Sequence, residues 1–477
     1  MLFNSIHFLI FFPIVTLLFF TLKGRSRLVL LLIASCVFYA AFIPKFLFIL
    51  FGLIITDYAA GLLMEPAQGR KRKTYLVMSL VANLGVLATF KYLNFFSANL
   101  NSLLQFLHVP LQAPALSLIL PIGLSFHTFQ SMSYTIEVYK GNQTAERDIL
   151  IYALYVLFYP QLVAGPIERP GHLLHQFREA KKFDLENLSS GCTLMLWGFF
   201  KKMFVADRLA QFVKETFVHG QTVPWNSFSL LLGIYFFTFQ IYFDFSGYTD
   251  IARGAARVMG FSLIENFQNP YGAKNISEFW HRWHISLSTW FRDYLYIPLG
   301  GSRTSLTRWM FNIMVVFLLS GLWHGANWTF AIWGALHGFF IIVSRLRQKF
   351  FSSLDDRMPD AFKILITFNL VAFGWIFFRA DDLSMARDVV LGLFSANWKL
   401  SPFIHLLLEN ENARTGVLAL ITFVGLAWYR QRMENVSRPV STGSLVPWRG
   451  AIWFAVVLQL IIIGAPLNET AFIYFQF

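Results

Sequence analysis

Long apolar runs, broken at short intervals by basic or small polar residues, dominate this chain. They fall at roughly 6–22, 28–42, 46–64, 75–96 and 116–138, and again at 188–200, 228–245, 310–323, 328–343, 362–378, 416–428 and 451–464. Runs near 20 apolar residues are long enough to cross a hydrocarbon core as helices, so the pattern predicts an all-α polytopic membrane protein with about 11–13 membrane segments. One stretch, 148–165, behaves differently. Lys140 and Arg147 precede it, and Arg169, Arg178, Lys181 and Lys182 follow it. Basic flanks on both sides predict a re-entrant segment, which is tolerated where protein rather than lipid surrounds the backbone.

The basic clusters set an orientation. Lys23, Arg25 and Arg27 follow the first run, and Arg70, Lys71, Arg72 and Lys73 follow the third. Positive residues mark cytoplasmic loops, which puts the N-terminus outside. Residues 97–117 contain no Lys or Arg and read as an external loop, whereas Arg430, Arg432, Arg438 and Arg449 mark a late cytoplasmic one. A last helix then carries the tail, 466–477, to the outer face. The first 22 residues lack a basic leader and a small-residue cleavage site, so they read as a spanning helix rather than a removed signal. No internal repeat or linker is evident, and the expectation is a single membrane domain over 1–477.

Composition sharpens this picture. Charged residues make up 14% of the chain against about 25% in ordinary soluble proteins, and Phe alone accounts for 54 positions. The net charge of +13 does not imply nucleic-acid binding, because the positive residues sit in short clusters between apolar runs. Cys36 and Cys192 each lie in or beside an apolar stretch and suggest neither a disulfide framework nor a metal site.

Chemistry concentrates between 275 and 340. Four of the 11 histidines lie there: His281, His284, His324 and His337. His324 is flanked by long apolar stretches, and an ionisable group at membrane depth is a functional candidate by default. Imidazole also suits proton transfer near neutral pH. The alternative is a hydrogen-bonding strut between helices. A metal site fits less well, since the spacings 281–284 and 324–337 do not give compact i, i+4 pairs and no carboxylate cluster stands beside them. Asp244, Ser246, Tyr248 and Asp250 end an apolar run and either line a funnel or hold helices together.

The segments W-H-R-W-H-I-S-L-S-T-W-F-R-D-Y-L-Y-I-P-L-G-G from Trp280 and G-L-W-H-G-A-N-W from Gly321 closely resemble the membrane-bound O-acyltransferase (MBOAT) superfamily, in its bacterial branch of alginate and peptidoglycan O-acetylation. P-I-G-L-S-F-H-T-F-Q from Pro121, A-G-P-I-E-R from Ala164 and Y-F-D-F-S-G-Y-T-D from Tyr242 resemble family segments too. The resemblance runs over nearly the whole chain. It implies a ring of tilted helices around a central funnel. It implies His324 as the intramembrane catalytic histidine, His284 as the second active-site position, and a supporting role for His337. His281 reads as structural.

By the same resemblance the acyl donor is acetyl-CoA from the cytoplasm, with no permanently bound cofactor. The product side is an extracytoplasmic polysaccharide reached through an SGNH-hydrolase-like acetyltransferase partner, and the location is the bacterial inner membrane. The tail F-I-Y-F-Q-F, 472–477, is similar to the C-terminal motif of the small partner peptide in D-alanylation systems, which makes Tyr474 a candidate acyl carrier. A D-alanyl or other acyl donor is the nearest alternative, and a transporter or flippase without acyl chemistry the alternative from another class.

Overall fold

The computed structural model describes residues 1–116, 118–217, 226–350, 357–395, 397–436, 456–461 and 472. The chain opens with α1 (Ile6–Thr21), α2 (Gly24–Ala40), α3 (Phe46–Met64), α4 (Gly69–Leu87), α5 (Leu93–Phe106), α6 (Leu124–Lys140) and α7 (Ile149–Leu157). Next come α8 (Pro170–Leu173), α9 (Leu185–Phe199), α10 (Asp207–Thr216), α11 (Ser227–Val258), α12 (Ile276–Arg282) and α13 (Ile285–Phe291). Then follow α14 (Leu306–His324), α15 (Trp328–Phe350), α16 (Asp360–Arg379), α17 (Leu383–Phe394), α18 (Leu400–Glu409) and α19 (Glu411–Val436). Among the described residues there is no strand, only an isolated bridge between Phe267 and Trp283.

Among the described residues, six helical stretches are long and apolar enough to cross a membrane: Phe46–Met64, Gly69–Phe106, Ser227–Val258, Leu306–His324, Trp328–Phe350 and Asp360–Arg379. The second joins α4 to α5 through a π-helical turn, Ala88–Tyr92. The apolar pattern predicts that this span ends near 96 and that a loop follows it. Instead α5 continues to Phe106, and the chain folds back along it: Asn94 and Asn101 exchange hydrogen bonds with the backbones of Leu116 and Ala113. The bundle is apolar on its outer faces and buries a minority of polar groups within a largely aromatic and aliphatic core. Leu17, Phe48 and Val81 are exposed, whereas Asp57 is buried and accepts bonds from Ser79 Oγ at 2.7 Å and Asn83 Nδ2 at 2.9 Å. Hydrocarbon reverses the solvent preference of the outer faces, and buried polar groups must find partners in the protein.

The stretch expected to be re-entrant is a nine-residue helix, α7, followed by irregular backbone, with every residue from 150 to 168 buried. Side chains satisfy its freed backbone groups. Tyr159 N donates to Ser35 Oγ at 3.0 Å, and Tyr155 OH donates to the Gln130 and Glu168 carbonyls at 3.1 and 2.9 Å. Gly123 turns with φ +76° against this segment, where a β-carbon would meet the Leu162 carbonyl at 3.0 Å.

Where the segment emerges, the buried Glu168 carboxylate lies 2.6 Å from His172 Nδ1 and holds that imidazole above the usual histidine range. A raised folded-state value means the contact stabilises the fold below the ordinary value of 6.5 and that this stability is lost as pH rises through the folded-state value. His172→Ala is therefore expected to lower the unfolding temperature in detergent more at pH 6 than at pH 9. An equal loss at both pH values would show that charge plays no part.

Helices α9 and α11 approach backbone to backbone. A β-carbon at Gly198 would lie 2.6 Å from the Gly247 carbonyl, and one at Gly254 would lie 2.6 Å from that of Gly191. Small residues in register permit this contact, which lipid-embedded helices rely on in place of a hydrophobic drive. Beyond it the π-helical turn Phe200–Ala206 buries two lysines. Lys202 Nζ lies 2.8 Å from both Asp207 and Asp244, and Lys201 Nζ lies 2.7 Å from Asp250. Asp244 and Asp250 thus hold helices together.

Candidate active site

The α14–α15 hairpin carries the first histidine. Ser305 Oγ caps α14 by accepting from Arg308 N, and the helix stops at His324, before the extended Gly325. The two helices cross so closely that a β-carbon at Gly321 would lie 2.2 Å from the Phe330 carbonyl, and one at Gly334 2.2 Å from that of Phe317. The turn is fixed by Asn327, whose Oδ1 accepts from Thr329 N at 3.1 Å while Nδ2 donates to the Asp381 carbonyl at 2.8 Å. A helix end leaves its last carbonyls without partners. Here Tyr92 OH donates to Leu322 O at 2.7 Å, and Lys91 Nζ donates to Trp323 O at 2.6 Å and His324 O at 2.9 Å.

His284 sits at the break between α12 and α13, in a left-handed conformation with φ +42° and ψ +55°. That conformation costs a non-glycine residue on the order of 1–2 kcal/mol and persists only where neighbours impose it. Asn266 is the main neighbour. Its carbonyl accepts from Ile285 N at 3.0 Å and its side-chain oxygen from Ser286 N at 3.1 Å. The re-entrant segment completes the brace, with Ile167 N donating to Ser286 Oγ at 3.0 Å.

These two devices bring the histidines together. The imidazole rings of His284 and His324 lie 6.5 Å apart, centre to centre, and both are buried. Aromatic rings wall them in. His324 has Trp323 at 4.9 Å, Trp333 at 5.0 Å and Phe378 at 5.2 Å, and His284 has Phe245 at 4.6 Å. His337 stands one indole further along, 5.0 Å from Trp333 and 5.1 Å from Trp280. Its ring nitrogens, and the indole N–H groups of Trp280, Trp323, Trp333 and Trp375, make no hydrogen bond to the described residues. Buried donors are normally satisfied, and unused ones gathered at a cleft suit a ligand.

Among the described residues, two cavities approach the pair. The smaller, about 60 Å³, is lined by Lys91, residues 120–126, Val163, Trp323 and His324. The larger, about 480 Å³, runs past Trp280, Ile285 and Phe317 to Ser320, one helical turn before His324, and its lining also includes His281, Arg292 and Arg345.

A sequence model of the membrane-bound O-acyltransferase (MBOAT) family matches residues 143–381, which include His284, His324 and His337. The relatives agree along the length of the chain. A protein of Pseudomonas aeruginosa named probable alginate O-acetylase is 39% identical over 452 residues, covering 93% of this chain and 85% of the relative. The chain belongs to the membrane-bound O-acyltransferase family. A peptidoglycan O-acetyltransferase of Helicobacter pylori is 35% identical over 430 residues, covering 83% of this chain and 80% of the relative. A teichoic acid D-alanyltransferase of Bacillus subtilis is more distant, 29% identical over 283 residues, 56% of this chain and 70% of the relative.

As an MBOAT protein the chain is a multi-pass membrane enzyme that transfers acyl groups to oxygen. Of the residues singled out in its sequence, His284 and His324 share one chamber, His337 borders it, and His281 lies at the surface beside the large cavity, its Nδ1 2.6 Å from the Ser277 carbonyl. Arg282 pairs with Glu278 at 2.5 Å and Arg292 with Asp293 at 2.8 Å. Tyr474 lies outside the described residues. No three His, Cys, Asp or Glu side chains among the described residues converge as a metal would need. The sequence gives no sign of Lys91 or Asn266: one looks like an interfacial lysine near the end of an apolar run, the other like a loop asparagine.

Proposed function

We propose that this MBOAT enzyme moves an acetyl group from acetyl-CoA on the cytoplasmic side of the inner membrane to the outer side, for O-acetylation of a polysaccharide such as alginate or peptidoglycan. The observation that carries the reading is the buried His284–His324 pair, 6.5 Å apart, with a large cavity leading toward it. The donor enters through that cavity, with Arg292 and Arg345 placed to meet its phosphates. His324 is the general base. The acceptor hydroxyl oxygen forms a bond to the thioester carbonyl carbon as its proton passes to the His324 imidazole. The tetrahedral adduct collapses, the carbon–sulfur bond breaks, and His324 returns the proton to the leaving thiolate. His284 orients the acceptor hydroxyl. The aromatic walls keep water from competing for the thioester. The names of the relatives from Pseudomonas aeruginosa and Helicobacter pylori support acetyl as the group and polysaccharide as the destination.

The outward hand-over runs through Tyr474 and then to a partner transferase of the SGNH-hydrolase type. Support comes from Phe472, two positions earlier, which is buried and stacks on Tyr248 at 4.6 Å; it also lies 5.6 Å from Phe245, itself a ring neighbour of His284. Purified protein incubated with acetyl-CoA labelled in the acetyl group tests the scheme. Wild type is expected to take up label as a base-labile ester, and Tyr474→Phe to take up none. Label retained in Tyr474→Phe would discard the carrier, and no thiol release by wild type supplied with partner and polymer would discard acetyl-CoA as donor.

A further inference from the structure

The reaction so far leaves Lys91 without a task. It lies in the π-helical turn Ala88–Tyr92 within the 38-residue membrane helix Gly69–Phe106, where a charged side chain is costly to place. It forms no ion pair with a described residue. A neutral donor is enough to cap a helix, as Tyr92 does one residue away at Leu322 O. The turn, which inserts an extra residue into the helix, lets both neighbours reach successive carbonyls of α14. An ammonium has three N–H donors, and the Trp323 and His324 carbonyls occupy two of them. Lys91 also lines the 60 Å³ cavity with His324, and its ammonium lies 5.9 Å from the centre of the Trp323 ring.

We propose that Lys91 is a further catalytic residue: its ammonium fixes the backbone at His324 and turns its third N–H to the oxyanion formed when the acceptor hydroxyl adds to the acyl carbonyl. As that bond forms, the carbonyl π pair moves onto oxygen. A cation in a dry chamber stabilises this charge far more than it would in water. The inference rests on His324 as the base.

The test uses the full-length protein in detergent with acetyl-CoA, reading thiol release at saturating donor and the donor KM. Lys91→Met is expected to lower kcat about 100-fold, the usual cost of losing one oxyanion donor, with KM within about twofold. Lys91→Arg should recover most of the loss, and Tyr92→Phe, which removes a cap but no charge, should cost less than about threefold. Equal losses in Lys91→Met and Tyr92→Phe would reduce Lys91 to a helix cap and overturn the proposal, as would an unchanged kcat in Lys91→Met. His324→Ala separates the two readings: if it is inactive while Lys91→Met is active, only the role of Lys91 fails. If Lys91→Met does not fold, Lys91→Ala supplied with methylammonium takes its place; saturable recovery supports the role, and none in a folded protein overturns it.

Discussion

His324→Ala is expected to lower acyl transfer by about 1,000-fold while leaving the protein folded, in line with the usual contribution of a positioned general base. The bonds that hold the end of α14 run from Lys91 and Tyr92 to backbone carbonyls, so they survive loss of the imidazole. The neighbouring rings of Trp323, Trp333 and Phe378 pack on other residues as well, including Phe129, Trp375 and Phe330. His324→Gln is the sharper variant. It keeps most of the volume and a hydrogen-bonding end but cannot take a proton, and the same loss is expected. His284→Ala should cost about 100-fold, the scale of a lost orienting contact. Thiol release from acetyl-CoA, measured beside a size-exclusion profile, checks all three. A His324→Gln enzyme within tenfold of wild type would falsify the general-base role.

Gly334→Leu is expected to abolish the folded protein rather than the chemistry alone. A β-carbon there would sit 2.2 Å from the Phe317 carbonyl, and rigid backbone cannot move aside as a side chain could. Overpacking a close interface costs roughly 1–3 kcal/mol even where neighbours adjust. Here the helices themselves must part, which would separate Ser320 and His324 from the tryptophans of α15. Gly321→Leu faces the mirror contact with the Phe330 carbonyl, also at 2.2 Å, and should behave alike. Gly338→Ala, whose nearest contact is the Met314 sulfur at 3.3 Å, should be mild, and Gly85→Ala, with nothing within 4 Å, should be neutral. Fluorescence-detected size exclusion after heating would rank the four. A monodisperse Gly334→Leu protein with wild-type melting would refute the argument.

The histidine chamber was legible because its residues carry their own signal. His324 and His337 stand between or inside apolar runs, where an ionisable group is a functional candidate by default, and His284, 40 positions before His324, lies in a segment with family resemblance. The re-entrant stretch was legible from charge, since Lys140 and Arg147 on one side and Arg169 and Arg178 on the other left no net crossing. Lys91 was not legible. In sequence it stands close to the end of the apolar run 75–96, as snorkelling lysines do, and only the π-helical turn and the end of a helix more than 200 positions away give it another meaning. Asn266 was hidden for the same reason: its two bonds go to backbone N–H groups that face it only after His284 adopts a left-handed turn. Helices α17 and α18 escaped because neither has a long apolar run. Residues 97–106 were read by their lack of Lys and Arg, a signal that speaks to sidedness and not to helix content.

The indole rings that dry the chamber also make it optically readable. Trp280, Trp323, Trp333 and Trp375, four of the 14 tryptophans, are ring neighbours of the three histidines. Their excited states sense local polarity, so on the proposed scheme a thioester carbonyl arriving beside His324 is expected to change emission before any bond is made. Binding and turnover can thus be timed separately, in unlabelled protein, from the light of the residues that enclose the reaction.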